Sequence, residues 1–331
     1  MKTREYWLDY LRAFACILVT VGHLFMSFQE AGIIREDIVL PTFIELIYCF
    51  HVYIFFLCSG YLFQIQKNNS FFSRIEKGIN FLCLYIIFSG ITYGVKIIFS
   101  SAVNSAVSHS FWEVLLQYPI NQMWYLYAIA IIFFFAKYID SPKTAYILLG
   151  ISVVLKILCV TGFSGILPLY YLFGNMIWFV IGQLMAYGQI KPGKIVSAIC
   201  CIGFFVLFAV KKVFSFYFLD PVLTFLGVIA SVGIVYHLTQ NKTCVTRPWL
   251  YLSKYMLQIY LLHTICAAGI RAVLLKVGVS HALPHVVIGL LFSFVAPVIC
   301  AIIAEKIAVL NVFFYPVKTI KSFYQKKRSR E

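Results

Sequence analysis

Charge is scarce in this chain. Of its 331 residues only 12% are Asp, Glu, Lys or Arg, and 12 carboxylates face 27 Lys and Arg. A charged fraction near 25% is usual for water-soluble domains, so a soluble globule is excluded. The ten cysteines form no Cys-x-x-Cys pair and no Cys/His ligand cluster, which argues against a metal site. They lie mostly inside apolar stretches and do not read as a disulfide framework. Internal repeats and low-complexity tracts are also missing, and no stretch is left over for a soluble domain.

What fills the chain instead is apolar sequence, 62% hydrophobic residues with a mean hydropathy of +0.91. At roughly 20 apolar residues per spanning helix there is room for about ten crossings. Nearly uncharged stretches near 7–28, 43–66, 79–99, 121–138, 144–160, 168–188, 195–211, 221–240, 251–272 and 285–305 supply them. Short breakers such as Asp140-Ser141-Pro142-Lys143 and Lys191-Pro192-Gly193-Lys194 separate them. The expected fold is an all-α polytopic membrane protein, a single integral domain over 1–331 with a basic tail from about 306. The first span does not read as a cleavable signal peptide, because Asp9 and Arg12 interrupt it and no small-residue cleavage site follows.

Eighteen of the cations, from Lys2 and Arg4 through Lys67, Lys143 and Lys194 to the tail, fall on one side of a ten-span arrangement. Arg35, Lys211, Lys212, Arg271 and Lys276 fall on the other. The bias predicts cytoplasmic termini, with the Lys211-Lys212 pair as the awkward exception. The net charge of +15 is then mainly a topology signal. A basic tail suits anionic membrane lipids, and nucleic acid is not an expected partner.

The first span carries an aspartate, an arginine and a histidine. At about 100° per residue the eleven steps from Arg12 to His23 leave the two side chains within about 20° of each other, and Asp9 lies about 60° from Arg12. The rise places His23 about 16 Å deeper than Arg12, beyond the midplane of a hydrocarbon core about 30 Å thick. Ionisable groups at such depths cost at least about 2.5 kcal/mol and usually face a cavity or pathway. One reading is local: Asp9 and Arg12 pair at the interface and His23 bonds a neighbouring helix. The other is a polar lumen lined by all three.

Leu8-Asp9-Tyr10-Leu11-Arg12 with His23 eleven residues on resembles the opening of bacterial membrane acyltransferase family three, the group that O-acetylates cell-surface sugars. Phe55-Phe56-Leu57-Cys58-Ser59-Gly60-Tyr61, Met123-Trp124-Tyr125-Leu126 and Leu252-Ser253 through Ile259-Tyr260-Leu261-Leu262-His263 are similar to three further motifs of that family, in the family's order. The loop after Ser-Gly-Tyr departs from it, with Arg74 and Lys77 but neither the arginine cluster nor the following proline.

The resemblance implies transfer of an acyl group, acetyl by expectation, from acyl-CoA to a hydroxyl of a glycan or lipid-linked sugar at the bacterial cytoplasmic membrane. Acetyl-CoA is then a substrate, and no permanently bound cofactor is expected. His23, with an ordinary pKa near 6.5, is the expected general base, and Arg12 the holder of the donor's phosphates. Ser59, Tyr61 and Arg74 are expected at the donor entrance. Asp9, Trp124, Tyr260 and His263 are assigned supporting or acceptor-side roles. Several of these residues also have plainer readings. Gly60 would be a close helix contact, Trp124 part of an aromatic belt, Lys96 and Lys156 snorkelling cations, and Glu45 a helix-end ion pair. Glu113 is a candidate acid partner. An exporter or flippase for polysaccharide or lipid-linked sugar on the same scaffold is the alternative function; it requires a polar path running right through, whereas an enzyme requires the stripe to end at a histidine open to the donor channel.

Overall fold

A computed structural model describes residues 5–34, 39–66, 71–100, 104, 107–136, 141–160, 167–242 and 244–328. Among them every regular element is helical, as hydrocarbon demands of backbone that must satisfy its own N–H and C=O groups. The chain is an all-α polytopic membrane protein, with nine segments among the described residues long and apolar enough to cross a membrane.

Helix α1 (Tyr6–Glu30) makes the first crossing, and α2 (Val39–Tyr48) with α3 (His51–Ile65) makes the return. Next come α4 (Phe71–Ile98), a short α5 (Phe111–Leu116) and α6 (Trp124–Ala136). The pairs α7 (Pro142–Val160) with α8 (Leu167–Gly188) and α9 (Lys194–Phe214) with α10 (Asp220–Thr239) follow. Helices α11 (Arg247–Lys276) and α12 (Ala282–Lys306) complete the crossings, and α13 (Ala308–Phe314) and α14 (Pro316–Arg328) close the chain. The end of the bundle where α1 starts is called proximal below, and the opposite end distal.

All ten expected spans coincide with helices. The stretch at 121–138 is the shortest, a 3₁₀ turn leading into α6 over Asn121–Ala136. Three features differ from expectation. The second span is broken at Cys49-Phe50 with neither proline nor glycine to announce it, and the break sets Phe50 against α10, where Gly227 leaves room for the ring. Helix α4 begins eight residues before the apolar run. The tail from about 306 is not a loose appendage: it is α13 and α14, with Lys321 on α14 paired to Glu76 on α4 at 2.6 Å.

Helices α1, α3 and α8 lie inside, whereas α7 and α12 turn most of their apolar surface outward. Isoleucines 147, 151 and 157 on α7 and Leu291, Val295 and Ile299 on α12 are exposed side chains suited to lipid. Helices α3 and α8 meet backbone to backbone. A Cβ on Gly60 would stand 1.9 Å from the Phe179 carbonyl oxygen, and one on Gly182 would stand 2.0 Å from that of Leu57. Glycine here lets two backbones touch, because lipid provides no hydrophobic push between helices and close packing must hold them together. Gly60 is therefore a helix contact, the plainer of its two readings.

Gly60→Val should lower stability by at least about 1–3 kcal/mol, the usual cost of overpacking. Gly94→Ala on α4, where a Cβ meets nothing within 4 Å, should leave stability unchanged or raise it. Unfolding in detergent followed by circular dichroism compares the two.

Candidate active site

The polar stripe of α1 faces inward. Asp9 is buried, and its Oδ1 accepts a hydrogen bond of 3.0 Å from the Ser253 hydroxyl on α11. Arg12 lies one turn on, with Nη1 3.9 Å from the same oxygen. Eleven residues further along α1, His23 Nδ1 is 3.1 Å from the Tyr48 hydroxyl at the end of α2. The His23 ring lies 5.3 Å from that of His263 on α11, centroid to centroid.

His263 is 1% exposed, and its Nδ1 is 2.9 Å from the carbonyl oxygens of both Ile259 and Tyr260. Two acceptors at one nitrogen require that nitrogen to carry the proton, which leaves Nε2 with a lone pair. Nε2 has no hydrogen-bond partner among the described residues. A third histidine, His51, is anchored by Nδ1 to the Ile47 carbonyl at 2.8 Å and lies edge-on to Tyr48, 4.8 Å between ring centroids.

Two chambers surround this stripe. The proximal one, about 530 Å³, is lined by Arg12 and Cys58, by Ser59 and Gln66 near the end of α3, by Lys77 and Asn80 near the start of α4, and by Lys318 on α14. It is basic: Glu76 on its wall is already paired with Lys321. The distal chamber, about 230 Å³, is lined by His23, Tyr48 and His51, by Gln122 and Trp124, by Lys156 near the end of α7, and by Tyr171 and Asn175 near the start of α8.

Tyr260 lines both chambers. Its hydroxyl donates to the Gln122 carbonyl, and the Gln122 amide returns a bond of 3.2 Å to the Tyr260 carbonyl. Phe55 and Tyr125 pack on Tyr260 with centroids at 6.4 and 5.5 Å. This aromatic group is the partition between the two spaces, so the stripe does not border one continuous cavity.

The expected residues distribute as follows. Arg12 and Ser59 line the proximal chamber, His23 and Trp124 the distal one, and Tyr260 both. Asp9, held by the Ser253 hydroxyl, lies directly beside Arg12. His263 is packed behind His23. Tyr61 lies apart from both chambers, buried with its ring edge-on to Trp7 at 5.2 Å. The Arg74 side chain lies outside the described residues. Trp124 gives one face to Tyr171, which stacks on it at 4.7 Å and 19°. Glu113 is exposed and forms the capping box of α5 with Ser110, whose side chain holds its carboxyl below the ordinary range.

Fold and cavities together define a polytopic membrane protein with polar chambers at both ends of its bundle. Residues 5–303 match a family profile described as an acyltransferase domain, acyltransferase family 3. The chain belongs to that family and is a membrane acyltransferase. Comparison with curated proteins and with solved structures gives no match.

Sequence reasoning missed Tyr48, His51, Gln122, Asn175 and Lys318. Tyr48 and His51 are carried by the break between α2 and α3, which no proline or glycine marks. Lys318 looked like one of many tail cations. In the Lys211-Lys212 pair, Lys211 pairs with Glu45 at 2.7 Å and with Asp220, and Lys212 pairs with Glu45 at 2.8 Å. Glu45 thus makes the ion pair expected of it.

Ser253→Ala takes a buried hydrogen bond from the Asp9 carboxylate. It should cost about 1–3 kcal/mol of stability and be partly rescued by Ser253→Thr, as read from unfolding of the purified variants.

Proposed function

We propose that the protein is an O-acyltransferase of the bacterial cytoplasmic membrane, a single domain with both termini cytoplasmic. It moves an acetyl group from acetyl-CoA to a hydroxyl of a cell-surface glycan or lipid-linked sugar. The observation that carries this reading is the pairing of two unlike chambers across Tyr260, a basic one at the proximal end and a histidine-lined one at the distal end. Phosphates of the donor would meet Arg12, Lys77 and Lys318, whose charges suit an anion. The pantetheine arm would carry the thioester inward along Ser59 and Tyr125. The acceptor hydroxyl would wait in the distal chamber beside His23.

The chemistry follows from the tautomers. With Nδ1–H of His23 donating to the Tyr48 oxygen, Nε2 takes the proton from the acceptor hydroxyl as its oxygen attacks the thioester carbonyl. The carbon–sulfur bond then breaks, and the imidazolium returns the proton to the departing thiolate. His263, its lone pair at Nε2 set by the backbone, would orient the hydroxyl. The thioester has to pass Tyr260, so that ring would swing aside once the donor is bound. The interruption at Tyr260 counts against the exporter alternative, which needs an open path between the two ends, and the enzyme reading requires Tyr260 to move, because the base must be open to the donor channel.

His23→Ala should lower transfer from acetyl-CoA by about 10²- to 10⁴-fold while donor binding stays close to wild type. Normal turnover by the purified variant would sink the assignment of the base. Arg12→Ala should weaken donor binding more than it slows the bound complex, and Arg12→Lys should restore only part, since a point charge lacks the planar fork that matches phosphate. Calorimetry with acetyl-CoA beside single-turnover transfer separates the two effects.

A further inference from the structure

The plainer reading of Lys156 is a snorkelling cation, and its ammonium lies against two neighbouring helices. It sits four residues before the end of α7, within reach of the membrane rim, yet its ammonium lies over the Tyr53 ring, 5.6 Å from the centroid. On the other side it faces Gly174 of α8, where a Cβ would stand 3.8 Å from Nζ. The cation therefore points into the bundle and forms part of the wall of the distal chamber. Burying such a charge is costly unless it is paired.

No carboxylate pairs with it among the described residues. Those nearest along the wall, Glu45 and Asp220, line an adjoining space that Lys156 shares. Both are already committed, Glu45 to Lys211 and Lys212 and Asp220 to Lys211. Among the described residues, three ammonium groups against two carboxylates leave one positive charge at this end of the chamber.

A second polar atom is independent of that charge. Asn175 is 6% exposed and lines the same chamber. Its Nδ2 donates to the Tyr171 carbonyl at 2.6 Å, which fixes the amide orientation and turns Oδ1 the other way. Oδ1 has no partner among the described residues. A buried acceptor without a donor costs about 1–3 kcal/mol, and a ligand hydroxyl removes that cost. At about 230 Å³ the chamber falls below the roughly 300 Å³ where drug-sized sites begin, which suits one sugar ring.

We propose that the distal chamber takes a saccharide bearing an anionic substituent, a carboxylate or a phosphate. The anion rests on Lys156, a hydroxyl donates to Asn175 Oδ1, and the hydroxyl to be acylated turns toward His23 and His263. This deepens the reading above and rests on it for the transfer step, though not for binding. Neutral glycosides of the same ring would fill the space and leave the ammonium unpaired, so the preference comes from the charge and not from the fit.

The test uses the full chain in phosphatidylcholine nanodiscs with methyl glucoside, methyl glucuronide and glucose 1-phosphate as probes. Acetyl transfer from acetyl-CoA gives KM, and saturation-transfer NMR without donor reports binding. One acidic probe should show a KM about ten- to a hundredfold below that of methyl glucoside, the range for a hydrogen bond to a charged group. Which acidic probe wins identifies carboxylate or phosphate. Lys156→Met should bring the acidic-to-neutral ratio to about one, and Lys156→Arg should keep part of it. Equal KM values for all three probes, or a preference that survives Lys156→Met, would overturn the proposal and leave the acyltransferase reading standing. Acidic probes that bind through Lys156 without accepting acetyl would uphold the anion site and count against the transfer step. Absence of binding by both acidic probes in the wild-type chain would also overturn it.

Discussion

Hydrocarbon gives a polar side chain no solvent, and the arrangement around α1 follows from that constraint. Asp9, Arg12 and His23 share one stripe of a crossing helix, so the stripe has to turn inward and find partners. The partners come from α11, which meets the upper part of the stripe with Ser253 and the lower part with His263. Clasping these two helices puts the cation near one end of the bundle and the histidine pair toward the other. The remaining helices then enclose what this pair has drawn inside.

That enclosure is unequal at its two ends. The proximal chamber is roomy and ringed by cations from α1, α4 and α14, while the distal one is small and built from rings and amides. Tyr260 and its aromatic neighbours stand between them. A transferase gains from such a partition. Two substrates of different size and polarity can be held from opposite sides, and only a narrow group has to cross the boundary, which also limits the access of water to the group being transferred.

The cost of building polar chambers in a membrane falls on packing elsewhere. Glycine pairs such as Gly60 and Gly182 bring α3 and α8 into backbone contact, so the walls are rigid where they need no chemistry. Ion pairs with Glu45 and Asp220 neutralise Lys211 and Lys212 at the distal rim. Buried groups without a partner among the described residues include Asn175 Oδ1, on a residue that lines the distal chamber, and His263 Nε2, on a ring packed against His23. Such groups are uncommon in a settled interior and are usual where a substrate supplies the missing partner.

Composition and hydropathy were enough to read the fold class and the ten apolar segments, because length and apolarity are local properties that a bilayer selects directly. Helical geometry was enough to place Asp9, Arg12 and His23 on one stripe, since a period of 3.6 residues needs no neighbours to apply. Sequence spacing was also sufficient for the resemblance to the acyltransferase family. Tertiary structure alone decided which distant residues meet that stripe. Tyr48 and His51 reach the distal chamber only because α2 and α3 part at Cys49-Phe50, and Lys318 reaches the proximal one only because α14 docks on α4. Whether Lys156 points to the membrane rim or to the interior depends on the ring of Tyr53 and the bare backbone of Gly174 on two other helices. The division of the lumen at Tyr260 likewise depends on contacts more than a hundred residues apart along the chain, and no local pattern encodes those.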